Sequence, residues 1–85
     1  MYHILVCDDD RDIVAALKIY LTAPDHTIYC AYNGQQALEI ARQQPIELIL
    51  MDIMMPGLDG ITATARLRAS SNIPVILLTA KTETS

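Results

Sequence analysis

The chain has 85 residues, which is enough for one small domain. It is 52% hydrophobic and 19% charged, a globular composition rather than a disordered one. The formal net charge of −4 argues against binding to nucleic acid or to an anionic membrane, because both need a basic patch. No apolar run approaches the roughly 20 residues that span a bilayer. The start of the chain also lacks the basic region of a signal peptide.

The two cysteines, Cys7 and Cys30, both lie in apolar runs that are typical of strands. This placement favours reduced, structural cysteines in a cytoplasmic protein. A disulfide between them is the alternative.

The hydrophobic pattern predicts four strands that alternate with three helices. The strands are short apolar runs, predicted over His3–Cys7, Thr27–Ala31, Glu47–Met51 and Pro74–Leu78. The helices have apolar residues at helical spacing and are predicted over Arg11–Thr22, Gly34–Gln43 and Gly60–Ala69.

Capping residues and apolar stripes give each predicted helix a start and an inner face. Asn33 and Asp59 are good N-caps for the second and third helices. The predicted inward residues are Ile13, Ala16, Leu17, Tyr20 and Leu21 in the first helix, Ala37, Leu38 and Ala41 in the second, and Ile61, Ala63, Thr64 and Leu67 in the third.

Strands that alternate with helices through short loops predict an α/β fold, a parallel sheet covered by helices. Right-handed crossovers and the usual doubly wound arrangement predict the strand order 2-1-3-4. The order reverses between the first and third strands, and the crevice at their carboxyl ends is where a ligand site is expected.

Acidic residues follow both of these strands. Asp8, Asp9 and Asp10 come after the first strand, and Asp52 ends the third. Carboxylates crowded to about 4 Å repel by roughly 1 kcal/mol in water and about 4 kcal/mol at an effective dielectric near 20, so a hard cation is expected between them. A few oxygen ligands with room for water and phosphate oxygens suit Mg²⁺ better than Ca²⁺.

The alternative is that these acids cap the following helix, which is the better interpretation for Asp10 and Asp12. It is weaker for Asp8 and Asp9, which lie at the strand end. Asp52 is the least similar to a cap, because it ends a buried apolar run and no helix starts for about seven residues. Thr79 ends the fourth strand beside the third, where its hydroxyl could reach a group on Asp52, and Ala80 leaves space for one.

Three runs carry the most specific pattern in the chain: Ile4–Asp10, with the sequence ILVCDDD; Leu50–Gly60, with the sequence LMDIMMPGLDG; and Pro74–Ala80, with the sequence PVILLTA. Together they resemble the receiver domain of bacterial response regulators, a flavodoxin-like three-layer fold, and the resemblance covers the whole chain. The ending Leu-Thr-Ala-Lys is similar to the OmpR/PhoB-like subfamily, in which a receiver precedes a DNA-binding domain.

The resemblance implies a role for each matching residue in two-component signalling. Asp52 is the nucleophile that accepts a phosphoryl group from a histidine kinase, and Thr79 hydrogen-bonds that group. Mg²⁺ is held by Asp8, Asp9 and Asp52 and by the backbone carbonyl of Met54. Met54 and Lys81 border the site and tune hydrolysis of the acyl phosphate.

Compared with a complete receiver, residues 1–85 lack the last helix, strand and helix, and with them the lysine that contacts the phosphoryl group. The sequence thus predicts the N-terminal part of a receiver domain, truncated after the fourth strand. The apolar fourth strand becomes a bare edge, so a homo-oligomer formed through it is expected. A fragment that folds and self-associates without signalling is the alternative function.

Two further classes of protein fit the sequence less well. An aspartate-nucleophile phosphatase of the dehalogenase type needs a second Asp two residues after the nucleophile, where this chain has Met54. A nucleotide or flavin binder needs a phosphate-binding loop after the first strand, where three carboxylates would repel the phosphate. We therefore expect a signalling module rather than an enzyme.

Overall fold

A computed structural model describes residues 1–79 of the chain. Four strands alternate with three helices within this part. The strands are β1 (Tyr2–Cys7), β2 (His26–Ala31), β3 (Leu48–Asp52) and β4 (Val75–Leu78), and the helices are α1 (Arg11–Leu21), α2 (Gly34–Gln43) and α3 (Gly60–Arg68).

The four strands form one parallel sheet in the order β2-β1-β3-β4. This order confirms the predicted topology. Cys7 pairs with Met51 across β1 and β3, and Asp52 pairs with Leu78 across β3 and β4. The residues that follow Cys7 and Asp52 therefore emerge together at the carboxyl end of the sheet, at the switch point.

Helices cover both faces of the sheet, because successive side chains of each buried strand point to opposite sides. Leu5 and Cys7 point toward the cluster that includes Ala37 of α2 and Ala63 of α3. The alternating β1 residues Ile4 and Val6 pack on the other face. There they meet α1 through Val14, Leu17 and Leu21. The result is the predicted three-layer α/β fold.

Side-chain caps fix where each helix begins. Asp10 accepts hydrogen bonds from the backbone N–H groups of Asp12 and Ile13 at the start of α1. Asn33 accepts from the backbone of Gln36 at the start of α2. Asp59 accepts from the backbone of Thr62 at the start of α3. The predicted caps are confirmed, and Asp10 is a cap rather than a member of the acid cluster.

The inner faces of α1 and α3 differ from the prediction. Tyr20 is 89% exposed and Ala16 is also exposed, whereas Val14 is the buried residue of α1. The helix is rotated so that Val14 faces β1, and this turns Tyr20 to solvent. In α3, Ala63 and Leu67 are buried as predicted, but Ile61 in the first turn is exposed.

The cysteines lie on opposite faces of the sheet. Cys7 belongs to the cluster under α2 and α3, whereas Cys30 packs against the cluster under α1. Both are free thiols. The disulfide alternative is therefore excluded.

Within residues 1–79, none of the helices combines the length and the apolar character that crossing a membrane requires.

Candidate functional site

Three carboxylates converge at the carboxyl ends of β1 and β3. One oxygen each from Asp8, Asp9 and Asp52 can be chosen so that all three lie within 4.8 Å of one another. Asp8 and Asp52 are buried, with exposed fractions of 4% and 2%, and Asp9 is exposed at the mouth. The structure therefore brings together the three side chains predicted as metal ligands.

No basic side chain within residues 1–79 forms an ion pair with any of these three acids. Burial raises the pKa of the Asp8 carboxyl above its ordinary value, and the neighbouring Asp52 carboxylate raises it further. The backbone N–H of Asp10 opposes this shift by donating a hydrogen bond of 2.9 Å to Asp8 Oδ1. A cation bound beside the buried Asp8 carboxylate would stabilise its charged form.

The Asp52 carboxylate has a fixed orientation. Its Oδ1 accepts a hydrogen bond of 3.2 Å from the backbone N–H of Met54. The Met54 side chain is exposed, and the contact of this residue with Asp52 is made by its backbone. This hydrogen bond holds the loop after β3 against the Asp52 carboxylate. The sequence pattern did not identify this contact.

The last residue of the segment after β3 contacts the first residues of that segment. The backbone N–H of Gly60 donates to the carbonyl of Ile53 over 3.0 Å. A Cβ on Gly60 would lie 2.2 Å from the carbonyl oxygen of Asp52, so only glycine allows this approach. The start of α3 is therefore packed directly on the backbone that presents the Asp52 carboxylate.

Cys7 directly precedes Asp8, and its side chain is buried next to the acid cluster. Its Sγ lies 3.4 Å from the carbonyl oxygen of Asn33 and 3.6 Å from Met55 Sδ. Burial raises the pKa of the Cys7 thiol to about 12, and the charges of Asp8 and Asp52 add to that shift. The thiol is therefore neutral and contributes packing rather than a ligand.

Thr79 directly follows β4, and it is exposed at the carboxyl end of the sheet, where Asp52 also lies. The adjacent backbone is tied to the site, since the N–H of Ile53 donates to the carbonyl of Leu78 over 2.9 Å. The other two residues predicted near the site, Ala80 and Lys81, lie outside the described residues.

The three carboxylates fit Mg²⁺ by the chemistry of their donor atoms. They supply only hard oxygen ligands, the kind that Mg²⁺ takes. Two protein elements provide them, and the exposed position of Asp9 leaves the cluster open on the solvent side.

Comparison with known proteins shows the family of the chain. Residues 4–85 match the family model described as "Response regulator receiver domain". The response regulator GtcR of Aneurinibacillus migulanus is 43% identical over 96% of this chain, which covers 34% of that relative. The transcriptional regulatory protein AfsQ1 of Streptomyces coelicolor is 37% identical over 98% of this chain, which covers 37% of it. The chain thus spans about a third of the length of these curated relatives.

A solved structure agrees in fold as well as in sequence. The response regulator TrrA of Thermotoga maritima, in complex with Mg(2+)-BeF, is 35% identical and superposes with a TM-score of 0.88. The match covers 95% of this chain and 71% of that one. With the sheet order, the acid cluster and the family match in agreement, the chain belongs to the receiver domains of two-component response regulators.

Proposed function

We propose that the acid cluster is a magnesium-dependent phosphoacceptor site, in which Asp52 takes a phosphoryl group from a histidine kinase. One observation carries this proposal: Asp8, Asp9 and Asp52 converge within 4.8 Å with no basic partner among residues 1–79. When bound, Mg²⁺ would offset the negative charge of the carboxylates and of the phosphoryl oxygens. Asp8, Asp9, Asp52 and the Met54 carbonyl are its proposed ligands.

The chain's own contribution is to present an oriented nucleophile. The Met54 N–H holds Asp52 Oδ1, so the carboxylate is aligned before the donor arrives. An Asp52 oxygen attacks phosphorus and forms an O–P bond. The N–P bond of the phosphohistidine breaks, its electron pair stays on the imidazole nitrogen, and that nitrogen takes up a proton. Thr79, at the same sheet edge, is the proposed hydrogen-bond donor to the phosphoryl oxygens.

The phosphoryl group would carry about −1.5 to −2 of charge and would replace the single charge of the Asp52 carboxylate, so the carboxyl end of the sheet would become more negative. We propose that this charge biases the segment beyond β4 between two states and so controls a transcriptional output. The relatives' description as transcriptional regulators supports the output. A cytoplasmic location and an output domain of the OmpR/PhoB type belong to the same proposal.

The test is the intact mass of the chain after incubation with Mg²⁺ and acetyl phosphate. One phosphoryl adduct is expected on the parent. None is expected when EDTA is present before the phosphodonor is added, or in Asp52→Asn. Asp12→Asn is the matched control, because Asp12 is an exposed acid outside the cluster and should leave the adduct unchanged. A folded parent that takes no phosphoryl group would refute the proposal.

A second proposed property is self-association through β4. This strand ends the described sheet, and its Ile76 and Leu77 side chains are 49% and 38% exposed. Exposed apolar edge strands pair with other strands. Sedimentation of the 85-residue chain over a concentration series should show dimers or larger species. A monomer at every concentration would refute this second property without affecting phosphorylation.

A further inference from the structure

A contact between α2 and the loop after β3 carries an inference about which residues position the phosphoacceptor. Gly34 is the first residue of α2, and it packs against Leu58 of that loop. A Cβ on Gly34 would lie 2.6 Å from the carbonyl oxygen of Leu58, 3.0 Å from its Cγ and 3.1 Å from its Cβ. Ordinary contact begins near 3.4 Å, so alanine at position 34 would force a separation of about 0.8 Å.

The start of α2 is the more firmly held side of this contact. Asn33 accepts the backbone N–H of Gln36 over 2.8 Å, and Gln36 Oε1 in turn accepts the backbone N–H of Tyr32 over 2.9 Å. Ala37 and Leu38 anchor the same turn in the core. A clash at position 34 would therefore move the loop rather than the helix.

Movement of the loop reaches Asp52 because the loop is closed at its base. Gly60 is hydrogen-bonded to Ile53 and packed on the Asp52 carbonyl, so a displacement of Leu58 is not absorbed by α3. Between these points the loop is held by the buried Met55, whose Sδ lies 3.6 Å from Cys7 Sγ, and by the Met54 N–H on Asp52 Oδ1. The hydrogen bond at Met54 is longer and more exposed than the packed Met55 side chain, so a displacement of Leu58 is expected to disturb the amide that orients the Asp52 carboxylate.

We infer that Gly34 is a positioning residue for the phosphoacceptor, acting through the backbone of Leu58. The inference rests on the proposed function for its effect on rate, and on geometry alone for its effect on the Met54 amide. A misplacement of about 1 Å can lower a rate by about 100-fold, so Gly34→Ala should slow phosphorylation by about 10- to 100-fold.

The experiment compares Gly34→Ala with Gln35→Ala, the exposed neighbour in the same helical turn. Phosphorylation by acetyl phosphate is followed by intact mass in saturating Mg²⁺, and the Met54 amide is followed by ¹⁵N NMR and hydrogen exchange. Gly34→Ala should slow the reaction and deprotect the Met54 amide, while Gln35→Ala should change neither.

A merely structural glycine gives a different outcome. Alanine favours a helix more than glycine does, so without the contact Gly34→Ala would raise the melting temperature and leave rate and amide unchanged. That result would overturn the inference. If the parent takes no phosphoryl group, the proposed function fails, and the Met54 amide alone decides the role of Gly34.

Leu58→Ala provides a second variant in case Gly34→Ala does not fold. It removes the Cγ that lies over Gly34 and keeps the backbone carbonyl, and Leu58 is only partly buried, so the fold should survive. Because the loop loses its contact with Gly34, the Met54 amide should be less protected than in the parent. Phosphorylation should be slower than in the parent, but by less than in Gly34→Ala. Leu58→Ala with the protection and rate of the parent would overturn the inference.

Discussion

Replacing Asp8 by asparagine should stabilise the metal-free protein while removing its response to Mg²⁺. Asp8 is 4% exposed and has no basic partner within residues 1–79, so its charge is uncompensated there. Asparagine has nearly the same shape, and its Oδ1 can still accept the N–H of Asp10. The substitution therefore removes the charge and keeps the local hydrogen bond.

The size of the gain follows from the distances in the cluster. Two unit charges 4.8 Å apart repel by roughly 0.9 kcal/mol at a dielectric of 80 and about 3.5 kcal/mol at a dielectric of 20. Asp9 is exposed and screened, so Asp52 is the dominant neighbour of Asp8. We expect Asp8→Asn to raise the free energy of unfolding by about 1–3 kcal/mol at neutral pH without metal.

The same reasoning fixes the sign of the pH dependence. The pKa of Asp8 is raised in the folded state, so between its unfolded and folded pKa values the folded protein binds more protons than the unfolded chain. The contribution of Asp8 to stability therefore falls as pH rises through that window, which begins near pH 4. In Asp8→Asn this loss is absent, so the difference between variant and parent should grow as pH rises.

Urea denaturation in EDTA, from acid to neutral pH, measures both effects. Asp12→Asn is the control for removing an exposed acid from the same region and should change stability little. Adding Mg²⁺ should stabilise the parent, by about 2.7 kcal/mol at 100 times the dissociation constant, and should stabilise Asp8→Asn far less. An Asp8→Asn variant less stable than the parent in EDTA at neutral pH would refute the reasoning.

Three further predictions concern the core, a cap and the cysteines. Leu5→Ala should lower the free energy of unfolding by about 2–5 kcal/mol, because Leu5 is fully buried; a loss below 1 kcal/mol in urea would contradict this core assignment. Asn33→Ala should cost about 1 kcal/mol through loss of the α2 cap, and the control Gln35→Ala should cost little in the same assay. A disulfide reagent should label Cys30 quickly and Cys7 only on unfolding, since burial raises the pKa of Cys7 to about 12; rapid labelling of Cys7 in the native state would contradict its placement.

The order and kind of the elements could be predicted because each level of the sequence agrees with the others. Buried parallel strands appear as continuous apolar runs, and Asn33 and Asp59 mark the helix starts by a local hydrogen bond. The acid cluster was also predictable, since the topology places the ends of β1 and β3 together. Strand and helix ends moved by only one residue, as with β3, which runs to Asp52.

The features that were missed depend on tertiary packing. Periodicity gives α1 a broad apolar arc, and only contact with β1 selects Val14 over Tyr20 as its buried residue. The Met54 N–H on Asp52 and the approach of Gly34 to Leu58 are backbone contacts between separate elements. Side-chain chemistry carries no direct signal for them. The glycines themselves were the available clue, since a glycine beginning a helix is a weak helix former and needs a reason to be there.

The central claim is that Asp52 is a magnesium-dependent phosphoacceptor, and the most direct test locates the phosphoryl group. The chain is incubated with acetyl phosphate and Mg²⁺, reduced with borohydride to convert an acyl phosphate to homoserine, and mapped by tandem mass spectrometry. Homoserine at position 52 alone, absent without Mg²⁺, is the predicted result. Modification at another acid, or modification of Asp52 that does not need Mg²⁺, would contradict the account.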